Sequence, residues 1–502
     1  MSTSQIIRPL HPPPAAPRAA PATGHAGTRA AQWIQRLAVP LLVLLQVLLS
    51  LRLGNTAFED EALYVQAGRD LLDHLRTGAE VEDYGFYFSG APLAYPLLAG
   101  LLDELGGLAL VRAFSLACVV VAMLCVRATA RHLFGRTAGD LAALAFAVTG
   151  PVVFVSALAT FDALCLLLLA LALYLGVTRR SYPSAAVAGL ALAAAAVVKY
   201  TGAAFIPVVL LAVLFTARPR RSGRQVIRVL TTAAVAAAAL GVLWARAGAE
   251  VRAGVEFTTT SREALAPASA SHLVDLALQD IGLLTALALV GGFFVVRSWR
   301  SALLLLALLA GAFGLVLSQL HLGESVSFEK HMAYSALFLA PLAGQALAGL
   351  AGPGMRGVVL AVLVVVLLAT GLVRAQALYQ WPSVAPVVEL VESQDPQPGR
   401  YFATHPLPLK YHLWNEHPDL QWTAPGDLAA DDPQALRQAV ADGTYRMIIW
   451  SADVSGNPAL EPQVQVLSEA VANSPDYELV SAPPTVPAWG STAEWYVYAL
   501  TD

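Results

Sequence analysis

Long apolar runs separated by short polar stretches dominate the first 373 residues of the chain. Most runs approach the roughly 20 residues that a helix needs to cross about 30 Å of hydrocarbon. The pattern predicts eleven spans, at 37–53, 107–126, 138–157, 162–177, 184–198, 202–216, 229–246, 273–296, 301–320, 332–350 and 357–373. The expected fold class is therefore an all-α polytopic membrane bundle.

The charges in the connecting loops alternate in sign along the chain. Every second loop is basic, with Arg127, Arg131 and Arg136, then Arg179 and Arg180, then Arg218, Arg220, Arg221, Arg224 and Arg228, then Arg297 and Arg300, and finally Arg356. Because cytoplasmic loops are enriched in Lys and Arg, this alternation predicts a cytoplasmic amino terminus and an extracytoplasmic carboxyl terminus. Residues 1–36, rich in Pro, Ala and Arg, are expected to be a disordered cytoplasmic tail.

After residue 373 the composition becomes mixed and polar, which predicts a small extracytoplasmic α/β domain over 374–502. Alternation in Tyr445 to Trp450 and in Trp495 to Leu500 is typical of strands, and Pro433 to Val440 and Glu461 to Ala472 are helix-like. The domain contains neither Gly-x-Gly-x-x-Gly nor a P-loop. Acceptor binding and simple packing onto the membrane part both stay open as its role.

Composition supports a multi-pass protein of the plasma, or inner, membrane. Of the 502 residues, 57% are hydrophobic and 13% charged, whereas soluble domains carry about 25% charged residues. The net charge of -4 excludes a nucleic-acid surface. The three cysteines lie inside apolar runs without Cys-x-x-Cys spacing, so neither a disulfide framework nor a thiolate metal site is expected.

An acidic cluster, Glu59 to Glu61, directly follows the first predicted span and opens the long outer loop 54–106. Carboxylates at the membrane edge can hold a metal, accept a proton or bind a polar substrate, which makes Asp60 and Glu61 candidate catalytic residues. The alternative is a solvated acidic loop that merely satisfies the charge asymmetry.

The predicted topology places further polar residues on the same outer face. They are Asp162 before the fourth span, Lys199 and Tyr200 between the fifth and sixth, and His321, Glu324, Glu329, Lys330 and His331 before the tenth. Each has a simpler reading as well: Asp162 complements a helix dipole, Lys199 snorkels to the interface, and the His and Glu residues lack a recognised zinc spacing. Arg112, near the outer start of the second span, pairs either with a phosphate or with a carboxylate of the outer loop.

These segments resemble the GT-C membrane glycosyltransferases, and among them the protein O-mannosyltransferase and lipid A aminoarabinose transferase group. The resemblance rests on Asp60-Glu61, Ala91-Pro92-Leu93-Ala94-Tyr95, Thr160-Phe161-Asp162-Ala163-Leu164, Val198-Lys199-Tyr200-Thr201 and Phe328-Glu329-Lys330-His331. It extends to about residue 350. Their order, side and spacing together carry it, since no single motif is strongly specific.

The resemblance implies a transferase that moves a hexosyl or pentosyl group from a polyprenyl phosphate to an acceptor hydroxyl on a lipid, glycan or protein outside the cytoplasm. Asp60 would be the base of an inverting displacement, with Glu61 and Asp162 as further catalytic candidates. The leaving phosphate needs positive charge or oriented donors. Lys199, Tyr200, Lys330, His331 and Arg112 are the candidates for that contact.

A divalent cation, Mg²⁺ or Mn²⁺, held by Glu61, Glu324 or His321, would serve the leaving phosphate equally well. One departure from the family concerns the first loop. Several relatives carry a lysine just before its Pro-Leu, whereas this chain reads Ser89-Gly90-Ala91-Pro92-Leu93. Any phosphate contact from that position is therefore in doubt.

A secondary transporter of a polar or ionic substrate is the alternative function. Intramembrane Asp and Lys residues would then line a substrate pathway near the midplane. Most charges lie instead at span ends on one side, and no inverted repeat is evident. The depth of the polar site separates the two hypotheses.

Overall fold

The computed structural model describes residues 25–216, 222–261, 267–427, 433–451, 461–481, 487–488, 491–492 and 495–501. The described chain divides into two compact units, with the division between Leu41 and Leu42. Residues 1–24 of the predicted tail lie outside the described residues, and the first helix begins at His25 rather than at 37.

Helices make up most of the described chain. In order they are α1 (His25–Leu51), α2 (Glu59–Thr77), α3 (Tyr95–Phe134), α4 (Arg136–Val148), α5 (Gly150–Ser156), α6 (Phe161–Thr178), α7 (Tyr182–Val198), α8 (Phe205–Phe215), α9 (Ser222–Arg246), α10 (Ala249–Thr258), α11 (Ala270–Val295), α12 (Trp299–Leu322), α13 (Phe328–Leu350), α14 (Met355–Leu378), α15 (Ala385–Ser393), α16 (Pro406–Leu413), α17 (Pro433–Ala441) and α18 (Glu461–Ala472). Short 3₁₀ turns occupy Tyr84–Phe86, Tyr200–Ala204 and Pro425–Asp427.

Within the described residues, seven helices are long and apolar enough to cross a membrane, and α4 with α5, which meet at 69°, would make an eighth span. Shorter apolar helices lie at Leu37–Leu51, Tyr182–Val198 and Tyr200–Phe215, three of the predicted spans. The protein is thus a multi-pass membrane protein, while the count of eleven spans stays a prediction.

The outer loop 54–106 is largely helical, because it contains α2 and the first turns of α3. The second predicted span starts at 107, but α3 starts at Tyr95 and is broken where Gly106 and Gly107 leave helical geometry. Gly107 has φ of +66°, which a residue with a side chain rarely adopts. The break thus marks the predicted start of the span inside a longer helix.

Helix α13 lies at the centre of the bundle. It packs against α11, α4 and α12, and most of its residues are buried. Helix α3 packs against α6, α2 and α4. These contacts bring the amino-terminal turns of α2, α6 and α13, which carry Asp60, Asp162 and Lys330, into one neighbourhood.

A five-stranded sheet follows the last membrane helix. Its strands are β1 (Gly399–Ala403), β2 (Leu420–Thr423), β3 (Met447–Ser451), β4 (Tyr477–Ser481) and β7 (Trp495–Leu500), in the order β2-β1-β3-β7-β4, and β5 (Pro487–Ala488) pairs separately with β6 (Ser491–Thr492). The pairs β1–β2 and β1–β3 are parallel, whereas β7 runs antiparallel to β3 and β4.

Alternating strand residues bury both faces of this sheet. On one face Ile449 packs with Val387 of α15 and Leu409 of α16. On the other, Phe402 packs with Leu467 of α18. The helices and strands predicted between 433 and 500 are all present, with α18 and β7 at the predicted bounds. The domain boundary at 374 stays a prediction, because Leu42–Asp502 form one compact unit.

Candidate functional site

Asp60 lies in the first turn of α2, where the positive end of the helix dipole favours carboxylates. Its Oδ2 accepts a charge-assisted hydrogen bond from Nζ of Lys330, in the first turn of α13. The Asp60 side chain is 31% exposed, whereas that of Lys330 is 7% exposed. Asp60 therefore presents a carboxylate that a ligand can reach, held from one side by a buried ammonium.

Asp162 forms a second ion pair, fully buried in the first turn of α6. Its Oδ1 accepts from Nζ of Lys199 at 2.6 Å and from the hydroxyl of Tyr334 at 3.1 Å, and its Oδ2 accepts from Thr160 at 3.2 Å. The Lys199 ammonium also lies 5.0 Å from the ring centroid of Phe161. A buried pair with this many supporting hydrogen bonds is fixed in geometry.

The two ion pairs are neighbours. Lys330 interacts electrostatically with Asp162 as well as with Asp60, and with Lys199 as a like charge. We call Asp60, Asp162, Lys199 and Lys330 the outer polar cluster. His331 borders it, acts on Asp162 electrostatically, and has its Nδ1 2.8 Å from Oε1 of Gln319. Residues from four separate segments, at α2, α6, the end of α7 and α13, which the sequence predicted on one face, therefore converge.

Glu61 and Arg112 lie beside the cluster but are engaged with each other and with the backbone. Glu61 is fully buried and accepts from Nε and Nη2 of Arg112 at 2.9 and 2.6 Å. It also accepts from the backbone N–H groups of Phe58 and Ala159. Arg112 further donates to the carbonyls of Asn55 and Thr56. This geometry supports the ion-pairing alternative for Arg112, and Glu61 connects α2 to α3 and to the turn before α6.

The first outer loop holds Lys199 in place through backbone contacts. The N–H of Ala91 donates to the carbonyl of Val197 at 2.9 Å, and that of Tyr200 donates to the carbonyl of Ser89 at 2.8 Å. A Cβ at Gly90 would lie 2.4 Å from the carbonyl oxygen of Val198, so only glycine permits this approach. This loop, which lacks the lysine found in several of the proteins that the chain resembles, thus packs directly against the segment that carries Lys199. Tyr200 itself is half-buried.

The predicted metal ligands are not assembled. Glu61 is saturated by hydrogen bonds, His321 is exposed, and Glu324 is buried, with Oε1 accepting from the N–H of Val326 at 2.8 Å. No group of three or more His, Cys, Asp or Glu residues that could hold a metal occurs among the described residues. The assignment of Glu61, Glu324 and His321 as metal ligands therefore stays a prediction, which the described contacts do not support.

The segment from the end of α14 through α16 contacts the residues just before Asp60, which the sequence did not predict. The N–H of Ala57 donates to Nε2 of His412 at 3.1 Å, and Nδ1 of His405 lies 3.1 Å from a Glu59 carboxylate oxygen. Asn55 donates to the carbonyl of Trp381, whose indole N–H donates to the carbonyl of Thr56. We call His405, His412 and Trp381 the clamp. The only sequence signal for it is the occurrence of His and Trp in a polar segment.

Comparison with known proteins identifies the fold. Residues 91–244 match a family model described as dolichyl-phosphate-mannose-protein mannosyltransferase. ArnT from Cupriavidus metallidurans, solved bound to undecaprenyl phosphate, is 15% identical with a TM-score of 0.57, over 93% of this chain and 98% of that one. The chain has the GT-C fold.

Other GT-C structures agree at similar similarity. The archaeal oligosaccharyltransferase AglB from Archaeoglobus fulgidus, solved with an inhibitory peptide and a dolichol-phosphate, is 12% identical with a TM-score of 0.57, over 90% of this chain and 73% of that one. The mycobacterial arabinofuranosyltransferase AftD is 17% identical with a TM-score of 0.54, over 94% of this chain and 40% of that one. No curated protein matches the sequence significantly. The predicted resemblance is therefore confirmed at the level of fold.

Proposed function

We propose that the protein is a membrane glycosyltransferase that transfers a sugar from a polyprenyl-phosphate donor to an acceptor hydroxyl on the extracytoplasmic side, with inversion. The observation that carries the proposal is the outer polar cluster, in which the ion pairs Asp60–Lys330 and Asp162–Lys199 are neighbours at the amino-terminal ends of α2, α6 and α13 and the carboxyl end of α7. The ArnT and AglB structures support the donor class, since they contain undecaprenyl phosphate and dolichol-phosphate. The expected membrane is the plasma, or inner, membrane.

Asp60 is the best placed general base of the three predicted carboxylates. The side chains of Glu61 and Asp162 are 0% and 1% exposed and their oxygens already accept several hydrogen bonds, whereas that of Asp60 is 31% exposed. A base must come within hydrogen-bond reach of the proton that it removes. Only Asp60 combines this reach with a fixed position.

The transfer itself breaks one bond and forms another. The acceptor oxygen attacks the anomeric carbon, the bond from that carbon to the phosphate oxygen breaks, and the phosphate leaves with the electron pair. The acceptor proton passes to Asp60. Because attack comes from the face opposite the phosphate, the anomeric configuration inverts.

Lys330 couples the two ends of this reaction. While Asp60 is a carboxylate, Lys330 is its counter-ion. Once Asp60 takes the proton it is neutral, and the Lys330 ammonium is then released to pair with the phosphate oxygen on which negative charge develops. The Lys330 ammonium can therefore stabilise the leaving phosphate at the stage when negative charge develops on it.

Lys199, Tyr200 and His331 remain candidates for contact with the phosphate. Lys199 also has a structural role, because its ammonium is paired with the buried carboxylate of Asp162. We assign Glu61 and Arg112 to positioning, since their polar atoms fasten the turn before Asp60 to neighbouring helices. A metal fits poorly here, because both carboxylate oxygens of Glu61 already accept hydrogen bonds and the described residues contain no group of three or more His, Cys, Asp or Glu side chains that could hold it. No step is assigned to a metal.

The test is transfer of labelled sugar from a panel of polyprenyl-phosphate donors by purified protein in lipid, comparing wild type with Asp60→Asn. We expect a loss of about 10²-fold or more in kcat, the usual contribution of a positioned base. Asp73→Asn is the matched control, since Asp73 is an exposed carboxylate on the same helix. It should transfer sugar at the wild-type rate.

Equal rates for Asp60→Asn and wild type would reject Asp60 as the base. Consumption of no donor by wild type would reject the transferase and favour the transporter alternative. A chelator arm tests the metal directly: transfer that survives chelation fits the ligand geometry, and transfer abolished by chelation and restored by Mg²⁺ or Mn²⁺ would contradict it.

A further inference from the structure

A basic cavity lies at the membrane face opposite the outer polar cluster. It has a volume of about 430 Å³ and is lined by Ala128, Arg131, His132, Tyr174, Thr178 and Arg179. Arg131 and His132 belong to the last turn of α3, and Arg179 directly follows α6. Because Asp162 opens α6 and Thr178 ends it, the helix rise separates the two sites by about 24 Å. The distribution of arginines predicts that this face is cytoplasmic.

All the ionisable groups of the lining, apart from the tyrosine hydroxyl, are basic. It provides two guanidinium groups, an imidazole and two hydroxyls, and no carboxylate is among the described residues that line it. Arg179 is positioned by Tyr174. Its Nη2 donates to the Tyr174 hydroxyl at 2.8 Å, and its guanidinium lies 5.7 Å from the centroid of the Tyr174 ring. One turn before the cavity, Arg127 pairs with Asp140 at 2.6 Å. Asp140 is thus a carboxylate on this face, but it does not line the cavity.

The depth of the cavity points to a lipid rather than to a soluble anion. Both of its walls are ends of candidate membrane spans, which is the level of phospholipid head groups. A tyrosine whose hydroxyl faces the basic groups is typical of that interface. Basic pockets between transmembrane helices on the cytoplasmic side bind anionic head groups through charge-assisted hydrogen bonds to phosphate.

We propose that this cavity binds the phosphodiester head group of an anionic phospholipid of the cytoplasmic leaflet, with Arg131 and Arg179 as the principal contacts and Tyr174 orienting Arg179. The site is separate from sugar transfer and does not depend on it. Arginine suits this role, because its planar guanidinium donates two parallel hydrogen bonds to phosphate oxygens.

The test measures binding of dioctanoyl phosphatidylglycerol to the full-length protein in neutral detergent, by ligand-dependent increase in Tm and by native mass spectrometry. The variants are wild type, Arg131→Gln with Arg179→Gln, and Arg297→Gln. Arg297 is an exposed arginine of a different basic loop on the same predicted face and lies outside the cavity lining. Dioctanoyl phosphatidylcholine and inorganic phosphate serve as comparison ligands.

We expect saturable binding of phosphatidylglycerol by wild type and Arg297→Gln, and affinity about 10-fold or more lower in the double variant, which loses two charge-assisted contacts. Phosphatidylcholine should bind more weakly. Equal affinity in all three proteins would overturn the proposal, because general attraction to basic loops would then explain the binding. Inorganic phosphate binding as tightly as the lipid would overturn the assignment to a lipid. Double-variant protein that keeps its ligand-free Tm but loses the response would support the site directly.

Discussion

The Asp162–Lys199 ion pair is buried and lies beside the two charges that we assign to catalysis. Removing one partner of such a pair leaves an uncompensated buried charge and costs about 3–5 kcal/mol, whereas replacing both with neutral groups costs far less. Stability and activity should therefore respond differently to single and double substitutions at these positions.

We predict that Lys199→Met lowers the free energy of unfolding by about 3–5 kcal/mol, because Asp162 is left charged and buried. Adding Asp162→Asn should recover most of the Tm, since the amide oxygen of Asn can accept from Tyr334 while its NH2 group donates to the hydroxyl of Thr160. Sugar transfer should stay impaired in the double variant if Lys199 contacts the phosphate. Thermal unfolding and the transfer assay, run on the same preparations, check both.

A double variant as active as wild type would restrict Lys199 to a structural role. A double variant no more stable than Lys199→Met would show that the pair is not the source of the destabilisation. Arg76→Met is the comparison, since Arg76 pairs with Glu104 outside the cluster and both side chains are exposed, so its loss leaves no buried charge.

The sequence indicated which charged residues lie in the outer polar cluster, but it did not indicate which of them form ion pairs with each other. Asp60, Asp162, Lys199 and Lys330 stand out because charged residues at span ends have few structural reasons to be there. Their partners depend on tertiary packing: Asp60 and Lys330 are 270 positions apart. Tyr334 and Gln319 were missed because a Tyr or a Gln on an apolar helix is ordinarily a packing residue.

Helix α2 is the element that positions Asp60, and it is anchored at its amino terminus from two sides. Glu61 fastens it to α3 through Arg112, and the clamp fastens the turn before it to the segment after α14. Burial lowers the pKa of His412 below its ordinary value of 6.5, and the nearby Arg112 lowers it further, while Glu61 opposes the shift. His412 is therefore neutral in the clamp, and Nε2 accepts from Ala57.

The clamp predicts a pH dependence of stability. A histidine whose pKa is lower in the folded state binds more protons when unfolded, so it destabilises the fold as pH falls through and below 6.5. We expect the Tm of wild type to fall between about pH 7 and pH 5, and His412→Gln, which keeps an acceptor for Ala57 without titrating, to show a smaller fall. Thermal unfolding across pH measures it.

His417→Gln is the matched control, because His417 lies on the same segment and makes no contact with the turn before Asp60 among the described residues. It should keep the wild-type pH profile. If His412→Gln has the same slope as wild type, protonation of the clamp does not limit stability in acid.

In the membrane part, helices lie where the hydrophobic pattern predicts apolar spans, but several of these helices begin or end at other residues. The predicted span at 107 begins where α3 is broken, because apolarity marks the depth of the membrane whereas α3 continues outward to Tyr95. Likewise, Ala62 to Leu75 has an amphipathic pattern, which indicates a helix but not its partner. The packing of α2 on α3 shows that this part of the outer loop is folded against the membrane helices.

At the scale of the whole molecule, hydropathy predicts the bundle but not the order of the sheet. Strand β7 lies between β3 and β4, although β3 and β4 follow each other along the chain within this sheet. The periodicity of a single strand does not indicate which strands are its neighbours. Loop charges predict orientation, which the contacts within the fold do not test. Orientation matters here, because transfer outside the cytoplasm and a lipid site inside both depend on it.

Cysteine labelling tests this orientation cleanly, because Cys118, Cys125 and Cys165 are all buried and should give little background. With eleven spans and a cytoplasmic amino terminus, an impermeant maleimide added to intact cells should modify Glu80→Cys and Glu392→Cys and should modify Arg180→Cys only after the membrane is disrupted. All three positions are exposed in the folded chain. Labelling of Arg180→Cys in intact cells would show that the predicted orientation is reversed. Labelling of Glu80→Cys but not of Glu392→Cys would mean that the chain crosses the membrane an odd number of times between these two positions. The clamp makes that second result incompatible with the fold, because His405 and His412 reach residues beside Asp60.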